Sequence, residues 1–272
     1  MYFSINQSNY WYEIHGNGEP IVMLHGFTGS SRTWNYFVNK WKNKWTLITI
    51  DLPGHGKTKA KEKSMEACCK DLDALFNALK LSSFCLLGYS MGGRTAISYA
   101  IHYPEKIKAL LLESTSPGID TLEERVQRQE NDRILANRIL EQGLDWFVSY
   151  WENIPLFQSQ TSLPLEIKQS VRYERHMQSK TGLADSLLHM GTGFQPSWWD
   201  ALARLTKPVL LLAGELDKKY CELMKEMDNR FPQSLLTIVS EAGHAIHVEK
   251  PEIFGKIVSE YIMDIYLADI CN

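Results

Sequence analysis

The chain has 272 residues, of which 44% are hydrophobic and 22% charged, so it is long enough for one substantial core in one or two domains. Its net charge of −3 argues against a surface that binds nucleic acid or another polyanion. No apolar run approaches the roughly 20 residues that a membrane span needs. We therefore expect neither a nucleic-acid partner nor a membrane span.

The N-terminal stretch and the cysteines indicate the cellular compartment in which the protein resides. "MYFSINQSNYWYEIHGNG" has no basic start followed by an apolar block, so we expect no signal peptide. The cysteines are odd in number and lack a metal-type spacing such as CxxC; they are Cys68, Cys69, Cys85, Cys221 and Cys271. A reducing compartment, the cytoplasm, is the simplest expectation.

Short apolar runs recur along the chain and alternate with helical patterns. The runs are 21–26, 46–56, 84–90, 107–114, 208–217 and 234–244, and helical patterns cover 64–81, 92–104 and 251–267. Runs nearly continuous in Val, Ile and Leu are typical of strands buried on both faces of a parallel sheet. The alternation predicts an α/β fold with a mostly parallel sheet flanked by helices.

The alternation stops between residues 118 and 205. This segment has helical patterns throughout and is rich in Arg, Trp and Leu, and the β-rich rhythm resumes at Lys207 and Pro208. We interpret 118–205 as a helical lid inserted into a core formed by 1–117 and 206–272.

The stretch Gly88-Tyr89-Ser90-Met91-Gly92 matches the G-x-S-x-G nucleophile elbow. An apolar strand pattern precedes it and a helical pattern follows, as the motif requires. The glycines permit a sharp turn that exposes the Ser90 hydroxyl at the top of the sheet. A tight turn with a structural serine is the alternative, and the context makes it the weaker one.

A catalytic serine needs a base, and the base needs an orienting acid. In this order of elements the acid follows one strand and the base the next. Asp217 ends the run 208–217, with Glu215 as a rival acid, and His244 ends the run 234–244, in the turn after the strand, with His247 as a rival base. We favour Asp217 and His244, and expect a structural role for His247.

The stretch "LHGFTGS" (24–30) also ends a strand pattern with glycines. The backbone N–H of Phe27 can pair with that of Met91 to form an oxyanion hole. His25 and His55 are tempting bases, but we expect both to brace loops beneath the site.

Five motifs in order, "HGFTGS", "DLPGHG", "GYSMGGR", "GELD" and "AGHAIHVEKP", make the chain resemble α/β-hydrolase-fold proteins over essentially its whole length. "GYSMGGR", the lid stretch 125–157 and "GTGFQPSWWDAL" resemble more closely the 2-succinyl-6-hydroxy-2,4-cyclohexadiene-1-carboxylate synthases of menaquinone biosynthesis. That resemblance implies elimination of pyruvate from 2-succinyl-5-enolpyruvyl-6-hydroxy-3-cyclohexene-1-carboxylate, without a metal or an organic cofactor.

A substrate with several carboxylates calls for fixed cations, which arginine supplies bidentately. Arg94 lies one helical turn beyond Ser90, so it can face the site, although a surface position is the alternative. The resemblance implies substrate contacts for five residues: Tyr89, Arg94, Arg128, Trp151 and Arg175. The sequence does not settle the register of the lid arginines, because three others lie close by: Arg125, Arg133 and Arg172.

The resemblance makes Ser90, activated by His244 and Asp217, a proton-abstracting base in a carbon–oxygen lyase. The main alternative is a serine hydrolase (carboxylesterase, thioesterase or C–C bond hydrolase) in which Ser90 is acylated. A non-catalytic small-molecule receptor is a weaker alternative, because all three triad positions are filled. The expected partner is a small polycarboxylate, and the sequence leaves open a monomer or a weak dimer.

Overall fold

The computed structural model describes residues 1–270, so Cys271 and the last two positions of the predicted core segment 206–272 lie outside the described residues. Its strands are β1 Tyr2–Ile5, β2 Ser8–His15, β3 Pro20–Leu24, β4 Thr46–Ile50, β5 Phe84–Tyr89, β6 Ile107–Glu113, β7 Val209–Gly214 and β8 Ser234–Val239. They form one sheet in the order β1-β2-β4-β3-β5-β6-β7-β8. β4, β3, β5, β6, β7 and β8 pair in parallel, while β1 and β2 are antiparallel to their neighbours.

Helices cover both faces of this sheet. They are α1 Asn35–Trp41, α2 Met65–Ala78, α3 Met91–His102, α4 Leu122–Trp151, α5 Leu165–His176, α6 Lys180–Met190, α7 Lys218–Asp228, α8 Ile246–Glu249 and α9 Pro251–Ile270. One core packs α2, α3 and α7 against the sheet, and a second packs α1 and α9 against the other face. The predicted α/β fold with a mostly parallel, helix-flanked sheet is confirmed.

Burial on both faces explains why the strands read as continuous apolar runs. Every residue of β5 and of β7 is buried, and each fully buried Leu or Val contributes about 1.5–3 kcal/mol relative to an exposed one. The run predicted over 46–56 ends as a strand at Ile50. Pro53 cannot donate to a sheet, and Gly54 at φ +82° turns the chain, so "DLPGHG" forms a loop.

The sequence reading missed the N-terminal hairpin of β1 and β2. β1 alternates exposed with half-buried residues, and β2 is buried only at Ser8 and Tyr10. Such edge strands carry no continuous apolar run, so the pattern that predicted the parallel strands could not find them.

Residues 118–205 contain α4, α5 and α6 and two 3-10 segments, Pro155–Ser162 and Trp199–Arg204, with no strand among these described residues. α4 and α6 pack on each other around a small apolar core that includes Ala136, Ile139, Leu183 and Leu187. The segment joins the sheet between β6 and β7. Its role as a lid stays a prediction. Across residues 1–270, no helix has the length and apolar character that crossing a membrane would need.

Candidate active site

Ser90 lies in the turn between β5 and α3, in a strained backbone conformation. Its φ of 49° and ψ of −108° fall outside the regions that L-residues favour, which is the geometry of a nucleophile elbow. The flanking glycines are required by close packing. A Cβ on Gly88 would come within 2.4 Å of the Gly92 carbonyl oxygen, and one on Gly92 within 2.2 Å of the Leu24 carbonyl oxygen.

Ser90, His244 and Asp217 form a hydrogen-bonded chain. The Ser90 Oγ lies 3.0 Å from His244 Nε2, and His244 Nδ1 lies 2.7 Å from Asp217 Oδ2. Asp217 and His244 follow β7 and β8, and the His244 side chain is buried, with 1% of the residue exposed. A proton on Nδ1, donated to Asp217, leaves Nε2 free to accept the proton of the Ser90 hydroxyl.

The rival base and the rival acid have other partners. His247 donates from its backbone N–H to Glu113 Oε1 at 3.0 Å, and its Nδ1 lies 2.9 Å from the same carboxyl group. Glu113 ends β6 and is completely buried. Glu215 is exposed, and its Oε2 accepts the backbone N–H of Glu241 at 3.1 Å. Neither rival contacts Ser90 or His244 by a hydrogen bond within the described chain.

The predicted oxyanion-hole amides are those of Phe27, in the loop after β3, and of Met91, directly after Ser90. A Cβ on Gly26 would come 3.5 Å from Ser90 Cβ, so the loop that carries Phe27 packs directly on the serine. Met91 begins α3, where backbone N–H groups are unpaired. Among residues 1–270 neither amide donates to a protein acceptor, so both are available to a negatively charged oxygen.

His25 and His55 brace the loop that carries Phe27. His25 Nδ1 donates to the Gly26 carbonyl oxygen at 2.8 Å, and the Thr28 N–H donates to His55 Nε2 at 3.2 Å. The Gly26 carbonyl and the Phe27 N–H belong to one peptide plane, so the first bond sets the direction of the predicted oxyanion donor. Burial lowers the pKa of His25 to about 4 and that of His55 to about 3, so both rings are neutral at pH 7.

These two buried histidines predict an acid-sensitive fold. Between pH 6.5 and about 4 the unfolded chain binds protons at both positions that the folded chain does not, so the free energy of unfolding falls as the pH falls. We expect a loss of about 2 kcal/mol from the pair between pH 7 and pH 5.5, measured by urea denaturation. His55→Gln, with one titrating ring fewer, should show about half of this loss. A free energy of unfolding that is constant over this window would contradict the assignment.

Arg94 and Arg128 form a pair of neighbouring cations. Arg94 Nη1 donates to the Met190 carbonyl oxygen at 2.8 Å and to Gln195 Oε1 at 2.6 Å. Burial, assisted by repulsion from Arg128, lowers the pKa of Arg94 to about 10, which still leaves it protonated at pH 7. Arg128 uses only its Nε, which donates to both carboxylate oxygens of Asp132 at 2.9 and 3.0 Å. Two close guanidiniums with spare donors favour an anion between them.

Arg175 is a third cation, and it lines a cavity together with Phe27. It is 5% exposed, its guanidinium lies 4.9 Å from the centre of the Phe157 ring, and it donates no hydrogen bond to a described residue. Burial lowers its pKa. With Tyr89, Phe27 and Phe157 it lines a cavity of about 300 Å³. A buried guanidinium without an acceptor is costly, so this cavity suits a carboxylate.

The three other arginines of the 118–205 segment whose register was open each bond to an acceptor in the same segment. Arg125 donates to the Gln195 carbonyl oxygen at 3.2 Å, Arg133 pairs with Glu130 at 2.6 Å on the surface, and Arg172 pairs with Glu152. Of the arginines whose register was open, Arg128 is the one beside Arg94, and Arg175 is the one that is buried without a hydrogen-bond acceptor among the described residues.

The aromatic wall of the site includes Trp151. Its ring lies 5.3 Å from that of Phe27 and 5.5 Å from that of Phe147. Its indole N–H is buried without a hydrogen-bond partner in the described chain. A buried indole N–H usually has a hydrogen-bond partner, and none of the described residues supplies one here.

The sequence reading missed several residues beside the triad. The Tyr220 ring lies 4.6 Å from that of His244, and the Phe157 ring 6.0 Å from it. Tyr220 is three residues beyond Asp217, in the first turn of α7. Its backbone N–H donates to Asp217 Oδ1, so Asp217 caps this helix. The spacing from Asp217 could have predicted that Tyr220 lies near the triad, whereas no local sequence feature predicts the same for Phe157.

Within residues 1–270, no cluster of three or more His, Cys, Asp or Glu side chains is arranged to hold a metal ion.

Comparison with known proteins gives consistent results. The family model described as the alpha/beta hydrolase fold matches residues 19–251. A Bacillus subtilis (strain 168) protein provisionally named 2-succinyl-6-hydroxy-2,4-cyclohexadiene-1-carboxylate synthase is 49% identical over 91% of this chain and 91% of its own. The Photorhabdus laumondii synthase of that name is 32% identical over 90% of this chain and 86% of its own. The solved structure of MenH from S. aureus, 37% identical, superimposes with a TM-score of 0.91 over 94% of this chain and 98% of that one.

Proposed function

Because the chain belongs to the α/β-hydrolase family and, within it, to the 2-succinyl-6-hydroxy-2,4-cyclohexadiene-1-carboxylate synthases, we propose that it eliminates pyruvate from 2-succinyl-5-enolpyruvyl-6-hydroxy-3-cyclohexene-1-carboxylate in menaquinone biosynthesis. The observation that carries the proposal is the set of three guanidiniums with unused N–H donors near one Ser–His–Asp chain. The substrate has three carboxylates, which such cations can bind. A hydrolase of simple esters needs none of these cations.

In the proposed reaction Ser90 acts as a base. His244, oriented by Asp217, takes the hydroxyl proton as Ser90 removes the ring proton at C2, next to the succinyl ketone. The electrons of the C2–H bond form the C2=C3 bond, the former C3=C4 bond moves to C4=C5, and the C5–O bond breaks. The leaving group departs as the enolate of pyruvate, and the proton now held by His244 is transferred to it, so that pyruvate is released and His244 is neutral again. The amides of Phe27 and Met91 hold the ketone oxygen while it carries negative charge.

We assign the substrate carboxylates to the arginines that have unused N–H donors. Arg94 and Arg128 hold one carboxylate, and Arg175, beside Tyr89, holds another. Trp151, whose ring packs beside that of Phe27, lies against the substrate ring. We also place the protein in the cytoplasm, because the four cysteines of the described chain, Cys68, Cys69, Cys85 and Cys221, are free thiols.

The test offers the purified protein the enolpyruvyl substrate and measures pyruvate, with an aryl ester in parallel. We expect rapid pyruvate release and negligible ester cleavage. Ester turnover with a burst, a trappable acyl-Ser90 and no pyruvate would overturn the lyase in favour of a serine hydrolase.

Arg94→Ala is expected to raise KM for the substrate about 10- to 100-fold, because hydrogen bonds to charged groups contribute roughly 1.5–3 kcal/mol each. Steady-state pyruvate release measures this effect. Arg133→Ala is the control, since Arg133 pairs with Glu130 on the surface of the same lid helix as Arg128. An unchanged KM for Arg94→Ala would place the carboxylates elsewhere.

A further inference from the structure

Glu174, in the last turns of α5, ties the 118–205 segment to the loop that carries Phe27. Its Oε1 accepts three hydrogen bonds: from the Ser30 N–H at 2.9 Å, from the Ser30 Oγ at 2.8 Å and from the Thr33 Oγ1 at 2.8 Å. Ser30 and Thr33 also cap each other at the start of the short helix that follows. One carboxylate oxygen thus organises the beginning of that helix from a segment more than 140 residues away.

Both residues of this contact, Glu174 and Ser30, lie next to parts of the proposed site. Arg175 follows Glu174 directly on α5. On the other side, Gly29 closes the turn around Phe27 by donating to the Gly26 carbonyl oxygen at 3.0 Å, and Ser30 comes next. The cavity beside Tyr89 is lined by residues from both ends, including Phe27, Glu174 and Arg175.

Arg175 depends on its backbone for its direction. It donates no hydrogen bond to a described residue, and its guanidinium lies 4.9 Å from the centre of the Phe157 ring. Because its side chain donates no hydrogen bond, the direction of Arg175 depends on the helix that carries it, and Glu174 fixes that helix to the core beside Arg175. Gln178, one turn later, adds a second contact by accepting the Gly56 N–H at 2.9 Å, but this contact does not reach the Phe27 loop.

We propose that Glu174 is a positioning residue that couples the lid to the oxyanion loop, so that Arg175 and the Phe27 amide reach their working positions together. The inference rests on the proposed function for the roles of Arg175 and Phe27. It assigns Glu174 no contact with the reacting atoms. Because the three bonds converge on one oxygen, a glutamine can retain them through its carbonyl oxygen, whereas an alanine cannot.

The experiment compares three variants in steady-state pyruvate release at a temperature where all are folded. Glu174→Ala should raise KM and lower kcat, each at least 10-fold, because both ends of the contact are released. Glu174→Gln should remain within about 3-fold of wild type for both constants. Glu166→Ala, on the same helix but exposed, should be unchanged. Equal losses for Gln and Ala, or wild-type kinetics for Ala, would overturn the proposal.

A double-mutant cycle separates coupling from general destabilisation. In the Glu174→Ala background, Arg175→Ala should cost less than half of the fold-change that it costs in wild type, because Arg175 is already misplaced. Strictly additive losses would mean that Glu174 does not act through Arg175. If Glu174→Ala does not fold, Thr33→Val takes its place in the cycle, since it removes one of the three donors.

Failure of the proposed function is recognised separately. If wild type releases no pyruvate, the function fails, and Glu174 is then judged by hydrogen exchange of the amides in 26–33. These should exchange at least 10-fold faster in Glu174→Ala and at the wild-type rate in Glu174→Gln. Unchanged exchange in Glu174→Ala would overturn the coupling itself.

Discussion

Replacing Ser90 by alanine is expected to lower kcat for pyruvate release about 10²- to 10⁴-fold, the usual contribution of a positioned general base. The reason is the hydrogen-bonded chain from Ser90 Oγ to His244 Nε2 at 3.0 Å and from His244 Nδ1 to Asp217 at 2.7 Å, which no other described hydroxyl shares. KM should change little, because Arg94, Arg128 and Arg175 remain. Steady-state kinetics with a coupled pyruvate assay measure both constants.

The control for this variant is its fold and its ligand affinity. Ser90→Ala should keep the wild-type free energy of unfolding within about 1 kcal/mol and bind the substrate as tightly as wild type, measured by quenching of Trp fluorescence. A kcat close to that of wild type would remove Ser90 from the chemistry. A lost kcat together with an acyl adduct on wild-type Ser90 would make it a nucleophile.

Removing the His247 side chain is expected to lower the free energy of unfolding by about 1–3 kcal/mol, as leaving a buried polar group without its hydrogen-bond partner does. Glu113, fully buried at the end of β6, receives both hydrogen bonds of His247, from the backbone N–H and from Nδ1. His247→Ala therefore leaves a buried carboxyl group without its side-chain donor. Urea denaturation measures the loss, and His247→Asn, whose amide nitrogen can occupy the Nδ1 position, should recover part of it.

The matched variant is His244→Ala, three positions earlier. We expect His244→Ala to lose kcat as Ser90→Ala does, and His247→Ala to be affected mainly in stability. If folded His247→Ala releases no pyruvate while His244→Ala does, the base has been assigned to the wrong histidine. The contrast is sharp because the two rings have different carboxylate partners, Asp217 and Glu113.

The parallel sheet and the elbow could be predicted because their signals are local. A strand buried on both faces must be apolar at nearly every position, which marks β5 and β7 in the sequence. The sharp turn at Ser90 needs glycines two positions to either side, because a Cβ on Gly88 or Gly92 would collide with the backbone. The order of strands then placed Asp217 and His244 at one edge of the sheet.

The arginines of the 118–205 segment show the limit of such reasoning. Arg125, Arg128 and Arg133 lie within nine residues of each other, and their residue type does not distinguish them. In the structure Arg133 pairs with Glu130 across the surface, while Arg128 keeps donors free beside Arg94. Which face of α4 meets the core is decided by its packing on α6, a contact between segments some 50 residues apart.

The sequence by itself therefore determined the α/β fold, the helical insertion and the order of serine, acid and base, because each depends on backbone conformation or on the burial of neighbouring residues. Tertiary structure decided which side chains have partners. His247 is held by Glu113, 134 residues away, and Glu174 by Ser30, 144 residues away. Donors and acceptors that are so far apart in the sequence meet only when the sheet and helices have packed, so no local sequence pattern predicts the pairing.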